Sequence, residues 1–235
     1  MTTERPAAPV APPQLVLPRH RRLWPAVHAA LPPGELAHDQ HHILRVHAWA
    51  MRLAPEAGAD PDLCGAAALL HDLVVVAKDA LDRASASERS ARSAAPLLAA
   101  AGYSPAEGAE ICEAVRTCSW SRGLTPSAPT GCVLQDADRL DATGAIGLMR
   151  TAACAQWMSR AGGDADAAFY HPGEPFPASG RTLDDRRYML DHCYAKLLKL
   201  GPAMHLPGAR LEAQRRHAAL EAFLAELRQE VAPPG

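Results

Sequence analysis

The feature that most restricts the fold is an apolar run from Leu63 to Ala77, LCGAAALLHDLVVVA, broken by the adjacent polar pair His71-Asp72. A run of this length is enough for a core helix. Asp60-Pro61-Asp62 opens it with an acidic cap and a proline early in the first turn. The Val-Val-Val at 74–76, the one β-branched run in the chain, continues the helical pattern. A buried carboxylate without a partner costs at least several kcal/mol, so Asp72 requires something to neutralise it. Alone, the doublet is a weak signal. A histidine bonded to a backbone carbonyl beside an aspartate on the helix surface would read the same.

Elsewhere helix signals dominate. His38 to Leu53 places Ile43, Val46 and Ala50 on one stripe. Ser87 to Ala101 ends at Gly102, and Ser104-Pro105-Ala106-Glu107 is a capping box that opens a helix to about Cys118. Leu23 to Leu31, one or two helices between Cys132 and Met158, then Leu183 to Leu200 and Leu211 to Val231 complete the set. The fold expected is all-α, with about seven to nine helices. Residues 1–18 are rich in Pro and Ala and read as a flexible tail, leaving 19–231 as a single domain. The Gly/Pro-rich stretch from Gly162 to Arg181 reads as a functional flap or a floppy insertion.

At 235 residues, 48% hydrophobic and 21% charged, there is room for one ordinary globular core. A formal charge of −2 gives no reason to expect nucleic acid or an anionic membrane as a general partner. No stretch approaches a membrane span, and MTTERPAAPVAPPQ lacks the apolar segment of a signal peptide. None of the six cysteines forms a C-x-x-C pair, which fits a reducing cytoplasm without a disulfide framework.

Two further clusters accompany the doublet. In HDQHHILRVHA, His38 and His42 lie four apart on one helix face. A polar helix start explains most single histidines, but this stretch is unusually dense in them. In VLQDADRLDATGAIG, Asp138 and Asp141 share a face, and Asp136 is turned roughly 200° from Asp138 at ~100° per residue. A solvated face with Arg139 as partner is the ordinary alternative, though apolar residues flank the aspartates.

The ordered set of His42, His71-Asp72 and Asp138 resembles the HD-domain phosphohydrolase superfamily, and most closely its small stand-alone bacterial members. The motifs that carry the resemblance are His42-Ile43-Leu44-Arg45-Val46, Ala66-Ala67-Ala68-Leu69-Leu70-His71-Asp72, Asp138-Arg139-Leu140 with its Gly-Ala-Ile-Gly extension, and Leu183-Asp184-Asp185-Arg186-Arg187-Tyr188 through His192. Together they cover residues 38–200. The resemblance implies a helical bundle around a central divalent metal held by His42, His71, Asp72 and Asp138. Mixed N/O ligands favour Mn²⁺, with Co²⁺, Ni²⁺, Fe²⁺, Zn²⁺ or Mg²⁺ as other candidates. Two departures stand out. Leu73-Val74 follows the doublet where Ile/Val-Gly is usual, and Cys118-Ser119-Trp120 stands where some relatives carry a His-Ser-aromatic sequence. The second departure favours a single ion.

The expected activity is hydrolysis of a phosphate ester or anhydride in a small molecule, a nucleotide first, by a metal-activated water. A metal- and nucleotide-binding sensor with little turnover is the alternative, and a helical protein without metal is a third. Lys78, Arg45, Arg139 and Arg187 are the expected substrate contacts, with Lys78 and Arg187 preferred because they match positions in the subgroup. Tyr188 or Trp120 could stack on a base. For proton transfer Asp39 is the candidate base and Asp141 a weaker one; the expected catalytic set is Asp72, Asp39 and Lys78. His38, one turn before His42, is expected to stay outside the metal's ligand set.

Overall fold

The computed structural model describes residues 10–75, 85–160, 168–177 and 180–231. Among these the chain is helical: α1 (Pro18–Ala30), α2 (Gln40–Leu53), α3 (Pro61–Leu70), α4 (Ala86–Ala101), α5 (Pro105–Thr117), α6 (Pro129–Asp141), α7 (Gly144–Arg160), α8 (Met189–His192), α9 (Leu198–Leu200) and α10 (Pro207–Val231). A π turn over Cys193–Leu197 joins α8 to α9. The only strand-like pairing among the described residues is an isolated bridge between Ala168 and Tyr188. The fold is all-α, and no described helix is long and apolar enough to cross a membrane.

α3 is the axis of the bundle. Every residue from Leu63 to Leu70 is buried, and the helix packs against α1, α2, α5 and α6. Leu69 and Leu70 are fully buried. Each such leucine contributes roughly 1.5–3 kcal/mol relative to an exposed one, so the base of the doublet is firmly seated. Local chemistry sets the helix starts. Asp39 caps α2 by accepting from the His42 amide, and Asp60 caps α3 by accepting from the Asp62 amide. Ser104 and Glu107 form the complete capping box of α5.

The structure departs from the sequence reading at several helix ends. α3 stops at Leu70 instead of running on through Val74-Val75, and Val76 lies outside the described residues. The His71 ring accounts for this: its Nδ1–H donates to the Ala68 carbonyl at 2.8 Å and takes one acceptor of the helix end. Val74 then turns its amide to the Ser90 hydroxyl at 3.0 Å. α6 and α7 are separate helices, divided at Gly144, where φ is +65°. The late helix begins at Met189 rather than Leu183, because Asp184 accepts from the amides of Arg186 and Arg187 in a local turn. α10 starts at Pro207, just after Asp136 accepts from the amides of His205 and Leu206. Leu15 is fully buried in the core, so packing begins inside the segment expected to be a tail. Residues 1–9 of that tail lie outside the described residues. The six cysteines are free thiols.

Candidate metal centre and its cleft

Three elements bring four side chains to one point: α2 carries His42, the turn after α3 carries His71 and Asp72, and α6 carries Asp138. His42 Nε2 lies 3.2 Å from His71 Nε2. Asp72 Oδ2 is 3.4 Å from both nitrogens. Asp138 Oδ1 is 3.9 Å from His42 Nε2 and 3.8 Å from His71 Nε2. The imidazoles are buried, whereas the Asp72 and Asp138 side chains keep 27% and 31% of their surface exposed.

The far nitrogen of each ring is committed. His42 Nδ1–H donates to Asp141 Oδ2 at 2.8 Å, and His71 Nδ1–H to the Ala68 carbonyl. Each neutral ring therefore turns an Nε2 lone pair to the centre, beside two carboxylates. Four acceptors in one place need a cation or shared protons to hold them. Burial and the Arg150 guanidinium disfavour a charged His42, but the carboxylates of Asp141 and Asp72 outweigh them and raise its pKa. Burial also opposes ionisation of Asp72, yet the neighbouring histidines hold it well below the usual carboxylate range. The donor set fits a divalent transition ion.

Asp141 is the hub behind His42. It is fully buried and receives Arg45 through two bonds, Nε at 2.6 Å and NH2 at 3.0 Å. Arg150 NH1 lies 3.3 Å away. Burial resists its charge, but the bonds from His42 and Arg45 prevail and its pKa is depressed. A carboxylate in that state orients an imidazole and makes a poor base, which corrects the expectation of Asp141 as a proton acceptor. The carboxylate of Asp39 is engaged as the cap of α2, and only that role is visible for it.

A cleft of about 600 Å³ opens over the four side chains; His71, Asp72 and Asp138 form its floor with Cys118, and Trp120, Arg150, Arg186, His192 and Lys196 line it as well. The expected cations are placed differently. Arg45 is forked onto Asp141. Arg139 donates to the Ala203 carbonyl at 2.7 Å and to Gln135 Oε1, and stands 5.0 Å from the Trp120 ring centre. It clasps α6 to the segment before α10 and does not line the cleft. Arg187 lies 5.6 Å from the Tyr188 ring centre, and its neighbour Arg186 faces the cleft instead. Tyr188 is buried against His171, while Trp120 does line the cleft. Lys78 lies outside the described residues, and the helix that was to carry it ends at Leu70. Sequence reasoning missed Arg150, a lone cation in the apolar stretch GAIGLMRTAACA, as well as Lys196 and His192. Burial, with the carboxylates of Asp138 and Asp72, raises the pKa of the Cys118 thiol and keeps it protonated.

The model of the HD domain matches residues 40–143, from the start of α2 to just past α6, a span that holds all four central side chains. This stretch of the chain is similar to the HD domain. Among its relatives is YpgQ of Bacillus subtilis, itself uncharacterized, 29% identical over 215 residues that cover 89% of this chain and 91% of YpgQ. The structure of YpgQ in complex with ADP matches at 25% identity with a TM-score of 0.63, covering 89% of this chain and 95% of that one. A protein of Lactobacillus plantarum matches with a TM-score of 0.70 at 26% identity, covering 90% and 96%. An HD-superfamily hydrolase of Bacillus thuringiensis matches with a TM-score of 0.60 at 26% identity, covering 90% and 97%.

Proposed function

We propose that this chain is a metal-dependent phosphohydrolase acting on a nucleotide, with His42, His71, Asp72 and Asp138 as the ligands of one divalent ion, Mn²⁺ first among the candidates. The observation that carries this reading is the convergence of two imidazole lone pairs and two carboxylates at the floor of a cleft. Its volume of about 600 Å³ lies within the range of small-molecule sites. A bound ion of this kind supplies an acidified water and polarises a phosphoryl oxygen.

The chain's own residues do the rest. Asp141 and the Ala68 carbonyl hold the two rings with Nε2 inward. Ligand histidines are commonly fixed by such partners. Arg150, anchored on the Ala37 carbonyl at 2.7 Å, supplies charge for a phosphate together with Arg186 and Lys196. Trp120 offers a flat face to a base. The complex of the relative YpgQ with ADP supports a nucleotide as the first substrate class.

The experiment is a screen of phosphorylated metabolites with chelator-stripped protein resupplied with Mn²⁺, Co²⁺, Ni²⁺ or Mg²⁺, scoring both phosphate and pyrophosphate. Metal-dependent turnover of a nucleotide, lost in Asp138→Ala, is the expected result. Tight nucleotide binding without turnover in any metal would replace the hydrolase reading with a sensor.

A further inference from the structure

A second group of metal-type donors stands beside the central four and shares no residue with them. Glu35 and His38 come from the segment between α1 and α2, and Cys154 from α7. A carboxylate oxygen of Glu35, a ring nitrogen of His38 and the Cys154 sulfur all lie within 4.8 Å of one another. Glu35 and Cys154 are inside the protein, 3% and 9% exposed, and His38 is half-buried.

Glu35 sets the electrostatic problem. Its Oε1 accepts from the Ala37 amide at 2.8 Å, and its Oε2 meets His38 Nδ1 at 2.5 Å. No lysine or arginine among the described residues pairs with it. Arg150 binds the neighbouring Ala37 carbonyl but points its remaining nitrogens at Asp141 and His42. A carboxylate withdrawn from water needs a partner charge, and the other donors within reach are an imidazole and a thiol. A carboxylate, an imidazole and a thiolate are ligands that Zn²⁺ accepts, with a fourth position left for water. The sulfur distinguishes this set from the N/O set at the floor of the cleft.

We propose that Glu35, His38 and Cys154 form a second metal site, for Zn²⁺ or another thiophilic divalent ion, that ties the segment before α2 to α7. His38 lines the cleft, and its ring packs edge-on against His42 at 5.9 Å between centroids. An ion there braces the wall of the cleft next to a ring of the central set. The site does not depend on the hydrolase reading, and it goes beyond the single ion expected from the sequence.

The test uses the full chain, stripped with chelator and titrated with Co²⁺ while the near-ultraviolet spectrum is followed. A thiolate ligand gives a sulfur-to-metal charge-transfer band, and imidazole and carboxylate ligands do not. Wild type is expected to take up a second equivalent of Co²⁺ and to show the band. Cys154→Ser and His38→Ala should each lose the band and one equivalent while still binding at the cleft floor, which also reports that they are folded. His71→Ala should keep the band and lose the other equivalent. Cys118→Ser, which alters the cysteine that lines the cleft, should keep the band. Wild type with no band overturns the site without any variant, and so does a band that survives Cys154→Ser or disappears in Cys118→Ser.

Discussion

Asp141→Asn is the substitution that probes the centre from behind. The change keeps the shape of the side chain and removes the charge that holds His42 Nδ1, Arg45 and Arg150 together. An amide oxygen can still accept one bond, but it cannot serve three donors. Removing one partner of a buried ion pair costs roughly 3–5 kcal/mol. Arg45, whose side chain is 35% exposed, regains water, so a loss of about 2–3 kcal/mol is expected. For a domain of this size that is a fall in melting temperature of roughly 4–12 °C. Loss of a carboxylate behind a ligand histidine lowers metal affinity about 10–100-fold, or about 1.4–2.7 kcal/mol. The pH dependence has a definite sign. The folded pKa of Asp141 is depressed, so its contribution is complete above the unfolded value of about 3.9 and fades as the pH falls below it. The assay is thermal melting of wild type and Asp141→Asn from neutral pH into the acid range, with Mn²⁺ affinity measured at neutral pH. Equal Mn²⁺ affinity in the two proteins, or a melting gap that stays constant below pH ~4, would refute the account of Asp141 as the group that aims His42.

Three further outcomes follow from the same geometry. Asp72→Asn should lower the melting temperature of Mn²⁺-loaded protein by more than that of chelator-treated protein, where only the attraction of its carboxylate to the neighbouring histidines is lost; equal shifts with and without metal would remove Asp72 from the ligand set. His47 is buried against His20, and burial, then His20, push its pKa down to about 4; its folded value lies below the unfolded one, so stability should decline as the pH falls from about 6.5 toward 4, by on the order of 3 kcal/mol. His47→Gln should flatten that decline in a melting series, and an unchanged pH profile would show that His47 does not cause it. A Cβ at Gly147 would collide with the Ala142 carbonyl, so Gly147→Ala should be destabilised by roughly 1–3 kcal/mol; denaturant unfolding with a wild-type midpoint would show that the turn between α6 and α7 has slack.

The sequence made the all-α class visible because apolar periodicity and capping residues are local signals. Asp60 and the Ser104–Glu107 box act within one turn, and the structure shows both at work; the Asp39 cap of α2 was not read from the sequence. The His71-Asp72 doublet stood out because such a pair is anomalous inside an apolar run, whereas His42 and Asp138 joined it only through the resemblance to HD-domain proteins. What stayed hidden depends on partners far along the chain. The aspartates of QDADRLD differ in duty: Asp136 holds the amides before α10, Asp138 faces His42 and His71, and Asp141 holds His42 with two arginines. The spacing separated Asp136 from the others, but nothing within the motif foretold that Arg45 and Arg139 would be taken by Asp141, Gln135 and the Ala203 carbonyl. Arg150 is 108 residues from its contact at His42, and only its oddness within an apolar helix marked it. The end of α3 was misjudged because Val-Val-Val prolongs the apolar pattern, while the His71 side chain caps the helix at Leu70.

The central claim is that His42, His71, Asp72 and Asp138 share one ion. The most direct measurement is an anomalous difference map from crystals grown with Mn²⁺. The account predicts a peak at about 2.0–2.3 Å from His42 Nε2, His71 Nε2 and a carboxylate oxygen of each aspartate. A metal-replete crystal whose Mn²⁺ peak lies elsewhere, or in which Asp138 stands more than about 6 Å from His71, beyond any shared coordination sphere, would contradict it.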